Sequence, residues 1–84
     1  MATLKDLARH YSNAPKMRAA IIKAIQDHGP LADAIVVNGQ PSHSHNSSCY
    51  RAAKARGWSK YEIYPGARCR YKSEGFFNVL VRID

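Results

Sequence analysis

The sequence predicts an α+β fold, one compact domain over residues 1–84: two N-terminal helices, a short strand, a third helix and a C-terminal antiparallel hairpin that completes a small sheet. Three observations predict it. Apolar residues recur at helical spacing through the first third, an alanine-rich string closed by a glycine spans residues 49–57, and a period-2 pattern around a hairpin loop sorts the last third into two faces. The 84 residues suffice for one core and a shallow site, because a chain of this size buries only about 60% of its unfolded surface. An enclosed cofactor cavity, a dinucleotide-binding domain and a barrel enzyme are excluded. Apolar residues make up 45%, and five Tyr, two Phe and one Trp supply the bulk for a packed core. No apolar run approaches the roughly 20 residues that cross a bilayer, and Lys5 and Asp6 precede any apolar stretch, so neither a membrane span nor a secretory signal is expected. The expected location is the cytoplasm.

Leu4, Leu7, Ala8 and Tyr11 fall at i, i+3, i+4 and i+7, and Thr3 with Asp6 makes a capping box, which predicts a helix over residues 3–11. Ser12-Asn13 breaks it. Pro15 suits the first turn of a second helix whose buried stripe is Met17, Ile21 and Ile25, with His28 in register and Gly29-Pro30 as the stop. The break permits either a bent pair or a helical hairpin. Ala34-Ile35-Val36-Val37, closed by Asn38-Gly39, reads as a short strand buried on both faces. Gln40 to Ser48 is polar and reads as a loop that ends in an N-cap from Asn46, Ser47 or Ser48. Cys49 to Arg56 then forms the third helix, with Gly57 as a left-handed C-terminal cap and Trp58 anchoring the helix to the sheet.

In the last third, a three-residue loop Ser73-Glu74-Gly75 predicts a register in which Lys72 faces Phe76, Tyr71 faces Phe77, Cys69 faces Val79 and Ala67 faces Val81. Ala67, Cys69, Tyr71, Phe77, Val79, Val81 and Ile83 then share a core face, and Arg68, Arg70, Lys72, Phe76, Asn78, Leu80 and Arg82 the opposite one. Val79→Asp should accordingly destabilise by several kcal/mol and Asn78→Asp should be nearly neutral. Lys60 to Tyr64 alternates too, with Pro65-Gly66 either a turn or a kink within one long strand. The expected packing places the helices on one sheet face. A winged-helix arrangement, with the third helix as recognition helix and the hairpin as wing, is the alternative.

The chain carries 13 Lys and Arg against 6 Asp and Glu, a formal charge of +7, and eight of the 13 cations lie in residues 43–84. Arg68, Arg70 and Lys72 at alternate positions would project from one face beside Phe76, Leu80 and Arg82. Such a cationic track next to an aromatic platform suits nucleic acid. In the third helix Arg51 and Lys54 share a face, whereas Arg56 points away and complements the helix dipole. The candidate binding residues are therefore Arg68, Arg70, Lys72, Phe76, Arg82, Arg51 and Lys54.

His43, His45, Cys49 and Cys69 are zinc-ligand types, but their spacing matches no standard module, so no metal and no other cofactor is expected. Cys49 at a helix start with His43 or His45 nearby is the minimum for a Cys–His nucleophile, yet nothing supplies a third group or a pocket, and no enzyme is expected. The expected function is that of a small, basic, non-enzymatic protein engaging nucleic acid through a cationic hairpin face. The alternative is a phage or mobile-element inhibitor, of the anti-CRISPR kind, that docks on an acidic or nucleic-acid-handling protein surface, because carboxylates and phosphates reward the same cations.

Overall fold

In the computed structural model, which describes residues 2–68 and 76–84, the elements run α1 (Leu4–His10), α2 (Pro15–His28), β1 (Ala34–Gly39), α3 (Ser48–Ala55), β2 (Tyr61–Arg68) and β3 (Phe76–Arg82). Helix α1 starts where the capping box places it. The Thr3 amide donates to Asp6 Oδ2 at 3.0 Å and the Asp6 amide to Thr3 Oγ1 at 3.3 Å. The Leu4 and Lys5 amides donate to Ala32 and Pro30 carbonyls at 3.0 and 2.9 Å, so all four N–H groups that a helix start leaves open are satisfied. Those two bonds also orient the helix pair. Pro30 and Ala32 follow the C-terminus of α2, so α1 begins beside the end of α2 and the two form an antiparallel hairpin. Pro15 occupies the first turn of α2 and Gly29, at φ 89°, ends it.

The sheet has the order β1-β3-β2, and β3 is antiparallel to both neighbours. Strand periodicity sorts its side chains into two cores. Ala34, Val36, Tyr64, Phe77, Val79 and Val81 pack with Leu4, Met17, Ile21 and Ala24 of the helical hairpin. Ile35, Val37, Tyr61, Ile63 and Leu80 pack with Cys49, Ala53 and Trp58 on the other side. The helices therefore cover both faces of the sheet, not one: α1 and α2 lie on one side, α3 and Trp58 on the other. Central strand β3 is consequently sealed on both sides, and Asn78, Val79, Leu80 and Val81 are all 0% exposed. Strand β1 does contribute to both cores, as its continuous apolar run predicts.

The hairpin register differs from the expected one. Tyr64 pairs with Val79, Glu62 with Val81 and Arg68 with Phe76, in place of Cys69, Ala67 and Lys72 respectively. Residues 69–75, which hold the expected three-residue turn, lie outside the described residues. Of the two readings of Pro65-Gly66 the structure has the second: β2 runs through them as one long strand, with a register shift between Pro65 and Arg68. The Ile83 amide donates to the Lys60 carbonyl at 3.1 Å, so by antiparallel alternation Pro65 falls at a position whose N–H would point away from β3. Its missing donor costs the ladder nothing. A Cβ on Gly66 would collide with Met17 Sδ of α2, so glycine permits this close approach.

Three members of the expected faces are also misplaced, among them Leu80, which is 0% exposed and packs with Cys49, Ala53 and Trp58. Ile83 lies beyond the end of β3 and is 44% exposed, and Asn78, expected on an open face, is buried beneath α3. Asn78 Nδ2 lies within hydrogen-bond distance of the Val37, Gly39 and Phe76 carbonyls at 3.3, 2.9 and 3.2 Å, tying the end of β1 to β3. Ser48 Oγ donates to the Asn38 carbonyl at 2.9 Å and seats the start of α3 on that same strand end. Gly39, at φ 146°, makes room for it, since a Cβ there would overlap the Ser48 hydroxyl.

Candidate nucleic-acid interface

The expected site residues divide between the two ends of the sheet. Arg68 is exposed and pairs with half-buried Phe76, whose other neighbour across the sheet is Gly39. Because Ser48 is bonded to the adjacent Asn38, the N-terminus of α3 lies at this same end. Arg51 is one turn into α3 and Lys54 two, both exposed. Lys54 lies one turn nearer the helix C-terminus, and Arg68, Phe76 and Arg51 belong to one end of the molecule. Arg82 does not: six residues along β3 separate it from Phe76, roughly 20 Å at the rise of a strand. Its guanidinium is also committed, to Asp84 Oδ1 at 3.0 Å and Asp33 Oδ2 at 3.6 Å. Arg70 and Lys72 lie outside the described residues. The expected cationic sheet face is therefore corrected: from Asn78 to Leu80 it is the floor under α3, and cations are presented by the outer surface of α3 and by the hairpin end.

Residues 40–47 form a tied loop that enters α3. Ser47 Oγ caps the helix by accepting from the Tyr50 amide at 3.0 Å, and its hydroxyl is 2.7 Å from both the Ser42 and the Ser44 carbonyls. The Ser44 amide donates to Ser42 Oγ at 3.1 Å. Arg51 Nη2 donates to the Asn46 carbonyl at 3.2 Å, which holds the guanidinium against the loop. The two histidines lie on tyrosines: His43 and Tyr61 have ring centroids 4.8 Å apart, His45 and Tyr50 4.6 Å, each pair tilted by 32°. Lys54 Nζ stands 5.9 Å from the Tyr50 centroid, within cation–π range. Arg56 Nη1 donates to the Ala52 carbonyl at 3.2 Å, the role at the helix C-terminus expected for it.

Electrostatically, four of the acids are engaged by partners within the fold. Asp6 serves the capping box, which holds its carboxyl below the usual range, Asp27 accepts from the Tyr64 hydroxyl at 2.8 Å, and Asp33 and Asp84 flank Arg82. The Ser59 hydroxyl and amide, with Arg82, hold the Asp84 carboxyl well below the usual carboxylate range. Among the described residues Arg82 is the one Lys or Arg in an ion pair. Between Asp33 and Glu62 the chain has no carboxylate side chain at all, and this stretch carries Arg51, Lys54, Arg56, Lys60, His43 and His45. An open groove of about 710 Å³ between α2 and β2 is of mixed charge: Lys16, Lys23 and Asp27 line its α2 wall and Glu62 its β2 wall.

Cys49 is 0% exposed, with Sγ 3.6 Å from the Gln40 carbonyl, and burial pushes its thiol up, away from the thiolate a nucleophile requires. Neither histidine stacks on it. Among the described residues no three His, Cys, Asp or Glu side chains stand together as a metal site, and Cys69 lies outside them. The sequence offers His43 and His45 only as zinc-ligand types or as a base for Cys49, and gives no reason to join them to Tyr61 and Tyr50. The signal that could have found them is the carboxylate-free run around them. Comparison of the chain with protein-family models, curated proteins and solved structures finds no match. Among the described residues, no helix is long and apolar enough to cross a membrane.

Proposed function

We propose that this protein is a non-enzymatic, cytoplasmic nucleic-acid-binding module that grips the sugar–phosphate backbone with Arg51 and Lys54 of α3 and Arg68 at the hairpin end, where Phe76 pairs with Arg68. The observation that carries the reading is the carboxylate-free stretch from residue 34 to residue 61, which places cations on the outer surface of α3 with no acid on the same segment to neutralise them. A polyanion gains from such a surface by releasing its condensed counterions, and the contact reads backbone more than sequence.

A mobility-shift titration with DNA and RNA at two salt concentrations tests it. Wild type should bind in the micromolar range or tighter at low salt and weaken steeply as salt rises. Replacing Arg51, Lys54 and Arg68 with Ala should leave the fold intact and lower the slope of log K against log salt by about 0.7 to 0.9 for each phosphate no longer neutralised. Absence of any shift at low salt would overturn the reading and return the basic surface to its rival, a small inhibitor docked on an acidic protein.

A further inference from the structure

We infer that His43 and His45 are stacking platforms for unpaired bases, and that the nucleic acid this surface takes is single-stranded. The inference rests on the reading above and specifies its ligand.

Both imidazoles are exposed, yet neither is a free solvated side chain. Each lies on a half-buried tyrosine, His43 on Tyr61 of β2 and His45 on Tyr50 of α3. The tyrosine neighbours restrain two imidazoles that are still exposed to solvent, so each presents a π surface held in place before any ligand arrives. The Ser42, Ser44 and Ser47 hydrogen bonds fix the loop backbone that carries both rings, and Arg51 is tied to the same loop through the Asn46 carbonyl. Rings already ordered lose little freedom when a base stacks on them. A cation adjoins one of the platforms: Lys54 stands over the Tyr50 ring paired with His45.

The geometry favours an unpaired strand over a duplex. A duplex presents base edges in its grooves, and a helix reads them by lying in the major groove with several side chains pointing down. Helix α3 is only eight residues long, and the 40–47 loop that caps its first turn carries both rings, so the surface it offers is a ring-bearing loop beside a short helix. Stacking surfaces are of no use to paired bases, whose faces are already covered, and every unpaired base has a face to offer. Aromatic surfaces beside cations that track phosphates are the combination that holds single strands without sequence preference.

The test uses the full chain and one mixed-sequence oligonucleotide, as a single strand and annealed to its complement. Wild type should bind the single strand at least tenfold more tightly than the duplex, and the single strand should shift the ring-proton resonances of His43 and His45. His43→Ala and His45→Ala should each weaken single-strand binding by about 5- to 150-fold while leaving the salt slope unchanged, because a stacking surface is removed and the phosphate-binding cations stay in place. His43→Phe and His45→Phe should retain binding, since a ring replaces a ring. Equal affinity for single strand and duplex would overturn the inference and leave the proposed function standing. So would Ala variants that bind like wild type in a folded protein, or Phe variants that fail as the Ala variants do. Failure to bind either form would instead overturn the proposed function itself.

Discussion

Asn78→Asp places an acid where the sequence pattern alone would tolerate one and the structure forbids it. Asn78 is 0% exposed, and its Nδ2 faces three carbonyl oxygens, those of Val37, Gly39 and Phe76. The substitution keeps the shape and turns the donor into an acceptor, so every one of those contacts becomes repulsive when the carboxylate is ionised. Protonation sets the ceiling on the damage. Holding the acid neutral at pH 7 costs about 4 kcal/mol, at about 1.36 kcal/mol per pH unit above an unperturbed pKa near 3.9. One hydrogen bond of about 1 kcal/mol disappears in addition, because a carboxylic acid donates once where an amide donates twice. The loss at pH 7 is therefore about 4–5 kcal/mol, against a total stability of about 4–13 kcal/mol for a domain of this size.

The pH dependence carries the diagnosis. The native-state pKa of the introduced acid is raised above its unfolded value, so the folded form binds more protons, and the penalty grows as pH climbs from about 4 toward that raised value. At pH 5 it should shrink to about 2–3 kcal/mol. Urea unfolding at pH 5 and pH 7 measures it, with Asn38→Asp on the exposed edge of β1 as the control that should change little at either pH. Equal midpoints for the two variants at pH 7, or a loss at Asn78 that is no smaller at pH 5, would refute the placement of Asn78 under α3.

Val79→Asp, in the other core, has no polar partner and should lower stability by several kcal/mol, seen as a collapse of the thermal transition in circular dichroism. Gly39→Ala drives a Cβ into the Ser48 hydroxyl at a backbone angle that L side chains rarely adopt, so it should unseat the start of α3 and weaken nucleic-acid binding and melting temperature together, with Ser48→Ala recovering part of both. The Asp84 carboxyl is held low by Ser59 and Arg82, so its contribution is complete above the unfolded pKa near 4 and is lost as pH falls through the lower native value; Asp84→Asn should flatten the acid limb of the stability profile.

Signals confined to a few residues are legible in the sequence. Thr3 with Asp6, Pro15 at a helix start, Ser47 as a cap and Gly57 past a helix end each act within one turn, and each sits where its local pattern predicts. The β2–β3 register is not legible, because Lys60–Tyr64 and Ala67–Lys72 alternate equally well. The choice between them is made by α2: Tyr64 reaches Asp27, 37 residues away, and Met17 Sδ meets the Ala67 amide, 50 residues away. Asn78 misleads for the same reason. An amide is polar on any scale and turns inward only when it finds partners, here at the far end of β1.

The site divides along the same line. That Arg51 and Lys54 share a surface while Arg56 serves its own helix follows from helical spacing, and both statements hold. Strand alternation draws Arg82 into the site, although Asp84 two positions on shares that alternation and already argues for a local pair. The histidines require the fold. His43 and Tyr61 are joined only because the 40–47 loop brings residues from either side of α3 together, and no spacing rule relates them. What the sequence does display is the absence of carboxylates from residue 34 to residue 61. A segment that folds against the sheet on one side needs few charges there; one that keeps its bases and omits every acid on the other side is suited to a partner that supplies the acids itself.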